Sequence, residues 1–109
     1  MSRASLGRDG EDAAVALLER HGYRIVARNV RLPGGEIDVI ARDGNVVVFV
    51  EVKTRAVGGA MRAVDARKRT TLRALASDWL QVAAPRAIAR FDVVTIDRGR
   101  ATLHRGAFA

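Results

Sequence analysis

Residues 35–55 read Gly-Glu-Ile-Asp-Val-Ile-Ala-Arg-Asp-Gly-Asn-Val-Val-Val-Phe-Val-Glu-Val-Lys-Thr-Arg, and they leave this chain few ways to fold. They form two strand-like runs around Asp43-Gly44-Asn45, whose residues tolerate the positive φ of a tight hairpin turn. The two-residue period of a strand then sorts the side chains. Ile37, Val39 and Ala41 share a wholly apolar face with Val46, Val48, Val50 and Val52. The other face begins apolar at the turn, with Ile40, Val47 and Phe49, and becomes Glu36, Asp38, Glu51 and Lys53 away from it. A two-residue loop puts Asp38 and Glu51 on the same face as cross-strand or diagonal neighbours. A three-residue loop without a bulge separates them.

Adjacent carboxylates repel unless something positive lies between them. A divalent cation or an ammonium meets that need, and hard oxygen donors suit Mg²⁺ or Mn²⁺ with water and phosphate oxygens completing the shell. A lone Glu-x-Lys is ordinarily the solvated end of a strand. Here the preceding run is too apolar for an exposed strand, so Glu51 and Lys53 emerge at the end of a buried one, a common place for active-site groups.

The chain has 109 residues and no cysteine, which excludes disulfides and thiolate–zinc sites. Its length suits one domain over residues 1–109. No apolar run approaches the ~20 residues of a membrane span and no hydrophobic signal core is present, so a cytoplasmic protein with no membrane partner is expected. The formal charge of +7 favours an anionic partner, most often nucleic acid. Seventeen of the 19 basic residues are arginine, a bias that composition alone could produce and that makes Lys53 and Lys68 stand out. An ammonium can shift its pKa and act on a water as a guanidinium cannot.

In chain order, residues 1–3 are expected to be loose, and helical spacing from about Ser5 to His21 ends at Gly22. Leu6, Ala13, Ala14, Leu17 and Leu18 form its apolar stripe, and Glu11 shares it. Gly7 and Gly10 weaken this helix but let another backbone approach. Tyr23 to Asn29 reads as a strand and Pro33-Gly34-Gly35 as a turn. After the hairpin, Val57-Gly58-Gly59-Ala60 reads as a mobile loop. A second helix is expected from about Val64 to Ala83, with Val64, Leu72, Leu75, Ala76, Trp79, Leu80 and Ala83 on its apolar stripe. Its start and approach carry Arg62, Arg67, Lys68, Arg69 and Arg73. Phe91 to Asp97 forms a further strand and Ala101 to His104 a short edge, with His104 at the surface. The order αβββαβ predicts an α/β fold, a mixed four- to five-stranded sheet with helices packed on it. The long helix suits a crossover to a parallel strand.

The segments Gly-Glu-Ile-Asp-Val-Ile, Phe-Val-Glu-Val-Lys-Thr-Arg, Val-Asp-Ala-Arg-Lys and Arg-Phe-Asp-Val-Val resemble the bacterial YraN family of small uncharacterised proteins. The resemblance covers Gly7 to about Asp97. That family looks like a branch of the PD-(D/E)XK nuclease superfamily, near the archaeal Holliday-junction resolvases, which implies a restriction endonuclease-like core. By this resemblance Asp38 matches the superfamily's first acid, Glu51 and Lys53 its Glu-x-Lys, and Glu11 the acid on the first helix of resolvase-like members. Ile37-Asp38 stands where the superfamily has Pro-Asp.

The resemblance implies metal-dependent hydrolysis of DNA phosphodiesters, branched or damaged DNA included. Asp38, Glu51 and the Val52 carbonyl would hold Mg²⁺ or Mn²⁺, with Glu11 bound directly or through water. Lys53 would orient the attacking water or stabilise developing charge. Arg55, Arg62, Arg67, Lys68, Arg69 and Arg73 would grip the nucleic-acid backbone without reading sequence. Two rival readings are a non-catalytic nucleic-acid-binding module on the nuclease fold and a protein-interaction subunit with a basic face of purely compositional origin. Homodimerisation is left open.

Overall fold

The computed structural model describes residues 3–55 and 58–109, with side chains described from residue 10 onward except at position 63. The side chain of Leu6, the approach expected at Gly7, and Val57 lie outside the described residues, as do residues 1 and 2. The order is α1 (Arg3–Arg20), β1 (Arg24–Leu32), β2 (Gly35–Asp43), β3 (Val46–Arg55), a 3-10 turn (Ala60–Ala63), α2 (Ala66–Ala83), β4 (Ile88–Asp97) and β5 (Arg100–Phe108). The five strands form one sheet in sequence order, antiparallel except where β3 runs parallel to β4. That parallel pair is the one joined through α2, as the crossover argument requires.

The β2–β3 loop has two residues, with Asp43 opposite Val46 and φ 60° at Gly44. A type II′ turn asks for a glycine there. Two apolar layers follow from the strand period. Ala14, Leu17 and Leu18 of α1 pack with Tyr23, Val39, Ala41, Val48, Val50, Val94 and Ile96. On the opposite face Leu72, Leu75 and Ala76 of α2 pack with Ile37, Ile40, Val47 and Phe49. Phe49 meets Trp79 edge-on at 5.8 Å between centroids.

Ile37 departs from the expected face. It packs with Ile40 on the α2 side, because β2 and β3 pair only from Val39–Val50 to the turn. Beyond that pair β2 leaves β3, and the alternation that holds from residue 39 to 43 is broken at Asp38. β1 also outlasts its expected end. It continues through Asn29, which takes φ 53°, a conformation asparagine tolerates better than most residues.

The expected mobile loop is pinned. Ala60 is fully buried and its N–H donates to Asp97 Oδ1 at 2.8 Å, while Gly59 at φ 79° turns the chain into the 3-10 segment. α2 starts later than expected. Asp65 caps it by accepting from the Lys68 N–H at 3.0 Å, so Val64 precedes the helix, and Ala83 at its end is exposed. β4 and β5 are longer than the sequence suggests. His104 is half-buried rather than at the surface, with Nε2 2.9 Å from Thr95 Oγ1.

Candidate active site

The site forms where β2 parts from β3. A strand that loses its neighbour leaves backbone donors without partners, and a buried N–H left so is costly. Asp38 meets this need: its Oδ2 accepts from the Val52 N–H at 2.9 Å. The carboxylate thus reaches across the gap toward β3, beside Glu51. Burial and the Glu51 charge together push the Asp38 carboxyl up to about 7, and Glu11 adds to the rise. The Val52 N–H and Lys53 oppose it without restoring an ordinary value. Near neutral pH this carboxyl is protonated about as often as not.

Lys53 lies with Nζ 3.4 Å from Glu51 Oε1, both side chains mostly covered at 17% and 15% exposure. The sequence placed Asp38, Glu51 and Lys53 at one end of the hairpin, and the structure brings their charges within mutual influence.

Glu11 comes from the other layer. Gly10 lets α1 close on β3: a Cβ at position 10 would lie 2.5 Å from Thr54 Oγ1. The next residue, Glu11, is therefore carried to the sheet, its side chain 13% exposed. Its Oε1 accepts from Arg28 Nε at 3.1 Å and from Asn29 Nδ2 at 2.8 Å. The left-handed turn at Asn29 thus serves to aim an amide at this acid, a partnership with no signal in the sequence.

Among the described residues, no three Asp, Glu or His side chains are grouped so as to hold a metal ion. The acids that could hold one are Asp38 and Glu51, which lie within electrostatic reach of each other. Such a set fits Mg²⁺, which binds through one or two carboxylates and keeps several waters. The raised Asp38 pKa, caused first by burial and then by Glu51, marks a carboxylate whose charged form a cation would stabilise.

The basic residues divide. Arg67 and Lys68 line a cleft of about 200 Å³ with Glu36, Glu51, Thr71, Leu72 and Leu75, adjoining the acidic pair. Arg55 and Arg62 are exposed at the end of β3 and in the 3-10 turn. Arg69 and Arg73 are engaged by other groups of the protein. Arg69 Nε donates to the Val64 carbonyl at 3.1 Å and its guanidinium lies 5.5 Å over the Phe108 ring. Arg73 Nη1 donates to the Ala109 carbonyl at 2.9 Å. Helical spacing alone could not tell those engaged arginines from the ones lining the cleft. Glu36, held by Arg31 Nη2 at 3.4 Å, belongs to the cleft wall. It stood in the sequence only as a polar residue at the strand's end.

A second polar cluster went unforeseen. Asp92 is fully buried and accepts from Tyr23 Oη at 2.7 Å, Arg90 Nε at 2.9 Å and the Gly106 N–H at 2.9 Å. Arg90 also reaches Asp43 at 2.9 Å. Burial, with the Asp92 carboxylate beside it, pushes the Tyr23 hydroxyl up to about 12.

Among the described residues no helix is long and apolar enough to cross a membrane. The model of the uncharacterised protein family UPF0102 matches residues 10–96. UPF0102 proteins of Mycolicibacterium vanbaalenii and Symbiobacterium thermophilum are each 50% identical over 103 residues, covering 91% of this chain and 85% and 86% of theirs. One from Geobacter metallireducens is 49% identical over 96 residues, covering 84% of this chain and 79% of its own. With this fold and these relatives, the chain belongs to the UPF0102 family, which is the YraN family of the restriction endonuclease-like superfamily.

Proposed function

We propose that this protein is a metal-dependent endonuclease acting on DNA phosphodiesters. The observation that carries the reading is Asp38, half-buried beside Glu51 with its carboxyl raised to about 7, at the edge of a cleft lined by Arg67 and Lys68. Structural acids are normally matched by donors. A covered carboxylate held beside a second acid, next to a basic cleft, suits a cation that arrives with a phosphate. Asp38, Glu51 and the Val52 carbonyl are the groups to hold Mg²⁺ or Mn²⁺, which when bound polarises the phosphate and acidifies water. Lys53, steadied by Glu51, presents its ammonium where negative charge develops in the transition state. Arg67, with Arg55 at the end of β3 and Arg62 in the 3-10 turn, holds the backbone.

A second reading has support of its own. Glu11 is engaged by Arg28 and Asn29, and no three acids are grouped for a metal among the described residues. Both facts suit a nucleic-acid-binding module without catalysis. Incubating the purified protein with linear, single-stranded and branched DNA in Mn²⁺, Mg²⁺ or EDTA decides between them. Metal-dependent nicking is expected, abolished by Lys53→Ala with DNA affinity largely retained, because the role of Lys53 lies in the transition state. Salt-sensitive binding with no nicking on any substrate would establish the second reading.

A further inference from the structure

The hairpin that joins β4 to β5 turns on Arg98 and Gly99, with Asp97 opposite Arg100. Both turn residues take positive φ, 52° and 80°, as a type I′ turn requires. Arginine is an uncommon choice for the first of these positions, where Asn, Asp or Gly sits at less cost. Two bonds fix the turn beside the end of β3. The Arg98 N–H donates to the Arg55 carbonyl at 3.0 Å, and Asp97 Oδ1 accepts from the Ala60 N–H at 2.8 Å. The Arg98 side chain then lies along the Gly58 backbone: a Cβ on Gly58 would be 3.8 Å from its Nε and Nη2. Arg62 does the same at the next residue, with Nε and Nη2 3.8 Å from a Cβ on Gly59. Two exposed arginines, one from the 3-10 turn and one from the β4–β5 hairpin, thus lay their guanidinium groups against consecutive glycines.

We propose that Arg62 and Arg98 form a two-arginine clamp for one phosphate of a nucleic-acid backbone. Two cations delivered to one corner favour an anion between them, and each planar guanidinium can offer a phosphate two parallel N–H donors. Neither glycine has a side chain to cover the pair, and both hold the positive φ that shapes the corner, 92° and 79°. The clamp stands apart from the acids. Arg55, to which the turn is bonded, lies four residues beyond Glu51 on β3, about 13 Å of extended chain. The phosphate it takes is therefore not one that reaches Asp38 and Glu51. It lies a few nucleotides away, along a strand that rises about 3.4 Å per nucleotide. The clamp presupposes the nucleic-acid partner common to both readings above, and not hydrolysis. It gives Arg98, which neither helical spacing nor the hairpin motif marks, a place on the binding surface.

The test is DNA affinity in EDTA, read by fluorescence anisotropy of a labelled duplex of about 20 base pairs over a series of salt concentrations. Arg62→Ala and Arg98→Asn should each weaken binding by at least about fivefold. Asparagine is used at position 98 because it tolerates the left-handed turn. Together the two changes should lower the salt slope by about one unit rather than about two, since they remove a single phosphate contact. Arg86→Ala, which removes the same charge from an exposed turn at the other end of α2, should change affinity less than about twofold. Thermal melts establish that each variant is folded, and Arg98→Gly replaces Arg98→Asn if that variant is not. A change below about twofold in either single variant, a fall of about two slope units in the double variant, or an equal loss in Arg86→Ala overturns the clamp. So does orthophosphate in place of chloride at equal ionic strength, if it erases the difference between wild type and variants, because the pair then takes free phosphate. A wild type that binds no DNA removes the clamp together with both readings. The nuclease reading fails separately: affinity lost in both variants, with no DNA nicked in Mg²⁺ or Mn²⁺, leaves the clamp standing on a binding module.

Discussion

Asp38 and Asp92 solve the same local problem in different company. Each accepts a backbone N–H where a strand ladder is interrupted: Asp38 takes the Val52 donor where β2 leaves β3, and Asp92 takes the Gly106 donor where β5 is out of register with β4. Around Asp92 the fold adds Tyr23 and Arg90, so a fully buried carboxylate is surrounded by donors. Around Asp38 it adds Glu51 and Glu11, with Lys53 as a partial counterweight. A buried acid with its donors in place ties strands together. One covered and pressed against other acids is unfavourable in its charged form, and a positive charge from outside would relieve it.

That contrast predicts opposite signs for two similar substitutions. Asp92→Ala carries the largest expected effect, a loss of about 3 kcal/mol, because it strands the Arg90 guanidinium, the Tyr23 hydroxyl and the Gly106 N–H together. Urea denaturation at neutral pH measures it. A loss below about 1 kcal/mol would mean that the Asp92 network is not what holds β4, β5 and Tyr23 together.

Asp38→Asn should do the reverse in EDTA. The folded Asp38 carboxyl titrates near 7 against an ordinary value of 3.8, so between these values the folded state binds the more protons. Wild-type stability from this group is therefore complete below about pH 4 and is lost as pH rises through 7. Asparagine keeps an acceptor for Val52 and has no charge to bury. The variant should melt higher than wild type at pH 8, by roughly 1–3 kcal/mol of stability, and its advantage should vanish near pH 4. Mg²⁺ should raise the wild-type melting temperature at pH 8 and leave the variant unmoved. A variant less stable than wild type at pH 8 would break the comparison.

Gly10 tests how close α1 must come for Glu11 to act on Asp38. Alanine gains about 1 kcal/mol of helix propensity over glycine, but its Cβ would meet Thr54 Oγ1. Gly10→Ala should lose about 1 kcal/mol in wild type and gain about as much in a Thr54→Ala background, read by thermal denaturation. The same sign in both backgrounds would remove the steric account.

The smallest effect separates the cleft arginine from an engaged one. Arg67→Ala should lower DNA affinity similarly across sequences and reduce the salt slope by about one unit. Arg73→Ala, whose guanidinium is bonded to the Ala109 carbonyl, should change that slope less. Equal salt slopes for the two variants would dissolve the distinction between them.

Strand and helix periodicity, turn glycines and the Asp-Gly-Asn corner determined by themselves the element order, the hairpin and the parallel crossover, and put Asp38, Glu51 and Lys53 at the end of the hairpin away from its turn. These depend on neighbours within a few residues, which local sterics and burial govern. The tertiary structure decided the rest. It moved Ile37 to the α2 layer, bound Glu11 to Arg28 and Asn29, and tied Arg69 and Arg73 to backbone carbonyls. Each of these turns on where one strand leaves another or how closely a helix lies on the sheet. No periodicity encodes such distances, because they result from packing side chains that lie tens of residues apart in the chain.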